Sequence, residues 1–218
     1  MKFIDLTHLI HNGMPRFGAY WHCDTCIEPL GRIATEGRNT SKLTFGSHAG
    51  THMDSPRHFL QDGRTIDEID VSEVIGPVTI VDFSFLGKDE CVTQEMIRSI
   101  NLTEKMIFRF NWSRMWENGD FYHSYPYFSD EAADCIVASG KVKLIGMDTP
   151  SPDDSRIPSG SPSDSKIHKK FLQEKIILIE YLNNLDKIEN DLNGWTLAAL
   201  PLKLEKCDGS PVRAVIFK

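Results

Sequence analysis

Between His48 and His58 the chain reads His-Ala-Gly-Thr-His-Met-Asp-Ser-Pro-Arg-His, and no other stretch limits its folding options as tightly. Three of its eight histidines fall in this one segment, where random placement would put fewer than one. Imidazole and carboxylate together suit Zn, Mn or Fe(II), and no thiolate is offered. If these side chains meet at one ion, the backbone has little freedom. A histidine Cα can sit about 6–7 Å from an ion that the ring binds at about 2.1 Å. An extended chain advances about 3.3 Å per residue, so His52 and Asp54 lie about 7 Å apart on one face of a strand. His48 and His52 would be about 13 Å apart, at the limit of reach. The chain must therefore bend between them, and Gly50 is the residue that permits a bend. Pro56 then redirects the chain, which frees His58 to stand beside the ion as a base rather than as a fourth ligand.

The chemistry follows from that division. Three protein ligands (His48, His52, Asp54) leave room for a water, whose pKa a divalent ion brings towards 7. Imidazole is the side chain suited to take and return a proton near neutral pH, which assigns His58 the general-base role. The spacing thus points to a metal-dependent hydrolase. A second group lies later in the chain. His168 falls on a short predicted helix, and Glu180 sits in the apolar run Ile176–Leu182. A carboxylate there is costly to bury unless paired or metal-bound, although an edge-strand Glu facing water fits the sequence equally well.

The rest of the chain reads as one domain of 218 residues, long enough to bury a single core. Predicted strands cover Lys42–Gly46, Pro77–Phe83, Met106–Phe110, Val142–Met147, Lys175–Leu182, Trp195–Leu204 and Val212–Phe217. Predicted helices cover Thr93–Ile100, a segment capped by Ser129 and closed by Gly140, and Ser165–Leu172. Asp148–Ser165 and Trp112–Phe128 read as long loops. The net charge of -7 gives no electrostatic reason to bind nucleic acid or an anionic membrane. No apolar stretch approaches a membrane span or a signal peptide, so cytoplasmic residence is expected. Five scattered cysteines argue against a disulfide framework, and the lone Cys23-x-x-Cys26 lacks the second pair of a zinc ribbon.

His48–His58 matches the HxGTHxDxPxH signature in full, and on it the chain resembles the cyclase family, which includes bacterial kynurenine formamidases and isatin hydrolases. Gly146–Asp153, Leu200–Leu204, Asp208–Ala214 and the opening Phe3–Thr7 and Asn12–Pro15 carry the resemblance along essentially the whole chain. It implies an α/β fold, a compact domain with a mixed, barrel-like sheet and a few helices, assembled as a homodimer or homotetramer. It implies His48, His52 and Asp54 as metal ligands, with His168 and Glu180 as the more distant ones. Asp54 would bridge if a second ion is present, so one or two zinc or manganese ions are expected. It implies His58 as the catalytic proton acceptor. Phe17 stands near the position where formamidases carry a Trp, and the Gly-Asp pair that follows there is replaced by Gly18-Ala19. Phe17 can stack on an aromatic substrate. The expected reaction is hydrolysis of an aryl formamide such as N-formylkynurenine. Isatin or another cyclic amide or lactone is the alternative on the same scaffold, and a non-catalytic metal-binding module is the alternative of another class. A serine hydrolase would want a G-x-S-x-G elbow, and Gly160-Ser161-Pro162-Ser163-Asp164 fails at its last position.

Overall fold

Apolar side chains alternate along the strands and sort into two cores on opposite faces of one closed sheet. The computed structural model describes residues 1–218. The strands are β1 (Phe3–Asp5), β2 (Cys26–Gly31), β3 (Thr40–Thr44), β4 (His52–Asp54), β5 (Ile75–Asp82), β6 (Cys91–Val92), β7 (Lys105–Arg109), β8 (Tyr127–Phe128), β9 (Leu144–Met147), β10 (Ile177–Glu180), β11 (Trp195–Pro201) and β12 (Gly209–Phe217). The α-helices are α1 (Ile33–Glu36), α2 (Val71–Val74), α3 (Gln94–Arg98), α4 (Asp130–Ala138) and α5 (Lys166–Gln173). The main sheet runs β12-β11-β5-β7-β9-β10-β4, and β4 pairs back to β12. Seven strands therefore form a closed mixed barrel, as the resemblance implies. β5, β7, β9 and β10 are parallel neighbours, and the remaining pairings are antiparallel.

β12 is the seam. Gly209–Pro211 pair with β4, Val212–Phe217 pair with β11, and Val215–Phe217 also pair with β1. One buried cluster draws Met53, Val78, Ile107, Leu144, Ile179, Leu197 and Ala214 from all seven barrel strands and fills the interior. The neighbours in sequence, Met106, Phe108, Ile145, Met147 and Leu178, belong to the second cluster, packed outside the barrel under α3, α4 and α5. This is the period of two that a sheet covered on both faces requires.

The three predicted helices are present, two of them with side-chain caps. Ser129 accepts from the Ala132 amide, and Gly140 closes the segment at φ +64°. Thr93 caps α3. Four strands escaped the sequence reading. β6 and β8 are two residues long, and β2 joins β3 in a hairpin whose β3 residues are all exposed, so neither carries a core pattern. β1 is too short to show a period, whereas β4 is the strand on which the ligand spacing placed His52 and Asp54. β3 ends at Thr44, earlier than the predicted Gly46, and β10 stops at Glu180 because Tyr181 turns to φ +57°. Trp112–Phe128 is less open than expected, holding two 3-10 turns before β8. No helix is long and apolar enough to cross a membrane.

Candidate metal centre

Met53 points into the barrel, so its neighbours His52 and Asp54 point outward. The register of β4 on β10 places Glu180 opposite His52 and Leu178 opposite Asp54, all on the same outer face. Ahead of β4 the chain bends at Gly50, which adopts φ +60° as the spacing requires, and the bend carries His48 back over Asp54. Beyond β4, Pro56 opens a 3-10 turn that ends in His58. α5 brings His168 from above, where it is buried on the helix face beside Ile167. His48, His52, His168, Glu180 and His58 thus line one cavity, and Asp54 lies buried behind them, its carboxylate close to the ring nitrogens of His48, His52 and His58.

The geometry is that of side chains converging on a point. Nδ1 of His48 lies 2.8 Å from Oδ1 of Asp54. Nε2 of His52 lies 3.4 Å from the same oxygen and 3.5 Å from Oε2 of Glu180. Nε2 of His168 lies 2.8 Å from Oε1 of Glu180 and 3.6 Å from Oδ2 of Asp54. Two sets, His48/Asp54/His58 and His52/Asp54/Glu180, each bring their donor atoms within 4.8 Å of one another, and Asp54 is common to both. Despite these short distances, both oxygens of Asp54 and Oε1 of Glu180 are buried and accept no hydrogen bond. A buried carboxylate without donors is costly. These orphaned oxygens, facing imidazole nitrogens that do not donate to them, fit a divalent cation as the missing partner.

The outer nitrogens are engaged in the way that orients metal-binding imidazoles. Nδ1 of His52 donates to the Gly50 carbonyl at 2.8 Å. Nδ1 of His168 meets Oδ2 of Asp153 at 2.5 Å, and Asp153 is itself held by the Ile167 and His168 amides. Charge balance points the same way. Burial opposes the protonated form of His48, yet the Asp54 and Asp208 carboxylates outweigh it and raise its pKa to about 10. Burial likewise opposes charge on His168, and Glu180 and Asp153 raise it well above the ordinary value. The carboxylates thus place surplus negative charge around both imidazoles, which a divalent cation would offset. His58 differs, since burial lowers its pKa.

The cavity of ≈ 470 Å³ is bounded by the histidine and carboxylate cluster, by an aromatic wall and by the loop from Pro150 to Ser165. Phe17 is on the aromatic wall, edge-on to Tyr122 and His22. Trp21 joins it, whereas Tyr20 is exposed and Trp112 and Trp116 belong to the core. Sequence reading missed Asp208, His22, Phe59, Tyr122, Tyr125 and Tyr181 as cavity residues. Asp208 appears in the sequence only as the first residue of the Asp208–Ala214 segment that carries the resemblance, with nothing local to mark its role. The aromatic residues look the same in sequence whether they line a cavity or fill a core.

The Cyclase family model matches residues 4–154. Kynurenine formamidases of Bacillus anthracis and Bacillus cereus are 32% and 34% identical to the chain, and each alignment covers 99% of it and 97% of the relative. Cyclase-like protein 3 of Oryza sativa is 29% identical over 100% of the chain and 80% of its own length. Among solved structures, isatin hydrolase A from Ralstonia solanacearum superposes with a TM-score of 0.88 at 21% identity, covering 99% of this chain and 91% of that one. On the matched segment and the full-length relatives together, the chain belongs to the cyclase family.

Proposed function

We propose that this protein is a metal-dependent hydrolase that cleaves the amide C–N bond of an aryl formamide such as N-formylkynurenine. One observation carries the reading: an unbonded carboxylate and imidazole cluster faces an aromatic wall across a single cavity, with His58 at its edge. The full-length relatives named kynurenine formamidase support the substrate class.

His48, His52 and Asp54 would hold one zinc or manganese ion, and Asp54, His168 and Glu180 a second. When bound, the metal supplies Lewis acidity and lowers the pKa of water. His58 is less buried than the ligands, and its Nδ1 faces Asp208 at 3.3 Å, which leaves Nε2 for the substrate side. There it takes the proton of the attacking water and delivers it to the leaving nitrogen. Phe17, Trp21 and Tyr122 offer ring faces and edges to the aryl group. Assembly as a homodimer or homotetramer completes the proposal.

The test is a rate panel on N-formylkynurenine, simple aryl formamides and isatin, with Zn and Mn and with a chelator. Metal-dependent formamide hydrolysis is the expected result. Faster turnover of isatin would move the assignment to cyclic amides. Bound metal without hydrolysis of any formamide, lactam or lactone would make the protein a binding module.

A further inference from the structure

Asp208 stands directly before β12, and every oxygen it carries is committed. Its backbone carbonyl accepts from the Ser55 amide at 3.0 Å and the Ser55 hydroxyl at 2.9 Å, which ties it to the residue after Asp54. Oδ1 accepts from the Ser47 hydroxyl at 3.1 Å. The carboxylate is thereby turned so that Oδ2 meets two imidazoles at once, Nε2 of His48 at 2.7 Å and Nδ1 of His58 at 3.3 Å. The two rings lie 4.0 Å apart between centroids. Gly209 completes the seat, because a Cβ there would come within 2.9 Å of Cε1 of His48.

We propose that Asp208 is the positioning residue that couples a metal ligand to the general base, by accepting an N–H from both His48 and His58 on one oxygen. The inference rests on the reading of His48 as ligand and His58 as base. An imidazole that donates from one nitrogen presents a lone pair on the other. With Nε2–H of His48 given to Asp208, its Nδ1 lone pair faces Asp54 and the ion position. With Nδ1–H of His58 given to the same oxygen, its Nε2 lone pair faces the substrate. One carboxylate thus sets both tautomers and fixes the separation of ion and base.

The test begins with the wild-type zinc-loaded protein, in which nitrogen NMR of the imidazole rings reads the tautomers directly. His58 is expected as the Nδ1–H form and His48 as the Nε2–H form. Asp208→Asn and Asp208→Ala are then compared for zinc affinity by chelator competition, for kcat and KM at saturating zinc, and for fold by circular dichroism. Partners of this kind typically contribute about 10- to 100-fold to metal affinity or activity. Zinc affinity and kcat are expected to fall by that range in Asp208→Ala, with KM changed by less than about threefold and a smaller loss in Asp208→Asn. An Nε2–H tautomer for His58 in the wild type overturns the proposal, as does an Asp208→Ala protein with wild-type zinc affinity and kcat. Should Asp208→Ala not fold, the wild-type tautomers and Asp208→Asn decide. If the wild type hydrolyses no formamide, the amide reading falls, while the tautomer and zinc-affinity measurements still decide the role of Asp208.

Discussion

Glu180 and His52 are cross-strand partners in the antiparallel ladder of β4 and β10, with Oε2 and Nε2 3.5 Å apart. Strand register, rather than a flexible loop, fixes this pair of candidate ligands. Oε1 of Glu180 is buried and accepts no hydrogen bond. Glu180→Gln is expected to lower the metal content per chain, measured by mass spectrometry of the ion after dialysis. Activity should fall in step with the ion lost, while the circular dichroism spectrum stays unchanged.

His58 lies on the cavity wall outside the ladder that fixes His52, Asp54 and Glu180. His58→Ala is expected to keep the metal and lose about 10²- to 10⁴-fold in kcat, the usual contribution of a positioned general base. Full turnover with metal retained would remove His58 from the mechanism.

Gly209 is seated against His48 and the Met53 carbonyl, both 2.9 Å from where a Cβ would lie. Gly209→Ala forces a shift in the strand or the ring. Overpacking of this kind costs about 1–3 kcal/mol, so a lower unfolding midpoint and weaker metal binding are expected together. Gly119→Ala meets nothing within 4 Å and serves as the control.

His8 is 5% exposed, stacks on Trp116 at 4.2 Å, and has no partner for Nε2. Burial lowers its pKa from 6.5 to about 4. Between those values the unfolded chain binds more protons than the folded one, so His8 makes stability fall as pH drops through that window. The full loss from such a shift is about 3 kcal/mol. His8→Phe should flatten this part of the profile, read as the difference between wild type and variant in urea unfolding from pH 7 to pH 4 with chelator present.

Phe17 meets Tyr122 edge-on at 6.0 Å on the aromatic wall. If it packs on the aryl group, Phe17→Ala removes about 0.5–1.5 kcal/mol of aromatic contact. KM for aryl formamides should rise about 2- to 12-fold, with kcat little changed. An unchanged KM would take Phe17 out of substrate binding.

The ligand segment was legible because convergence on one point is a strong geometric demand. Gly50 had to bend, and its φ of +60° is the bend. His168 and Glu180 carried no comparable demand, since their neighbours in space lie far away in sequence and the register that joins Glu180 to His52 leaves no local mark. The resemblance supplied them. The barrel strands showed their apolar residues, but not their order around the ring or the closure of β4 on β12, which depend on pairings between distant segments. Asp208 stayed hidden for the same reason: its partners Ser47, His48 and His58 are about 150 residues away or more.

The seam at β12 makes ion capture a test of finished folding. His52 and Asp54 gain one of their two hydrogen-bonded neighbouring strands only when Gly209–Pro211 arrive, and Asp208 comes with them. A chain cut before this strand would keep every predicted ligand in its sequence and still lack the assembled centre. Copies that lack this strand should therefore hold metal far less tightly than the finished fold.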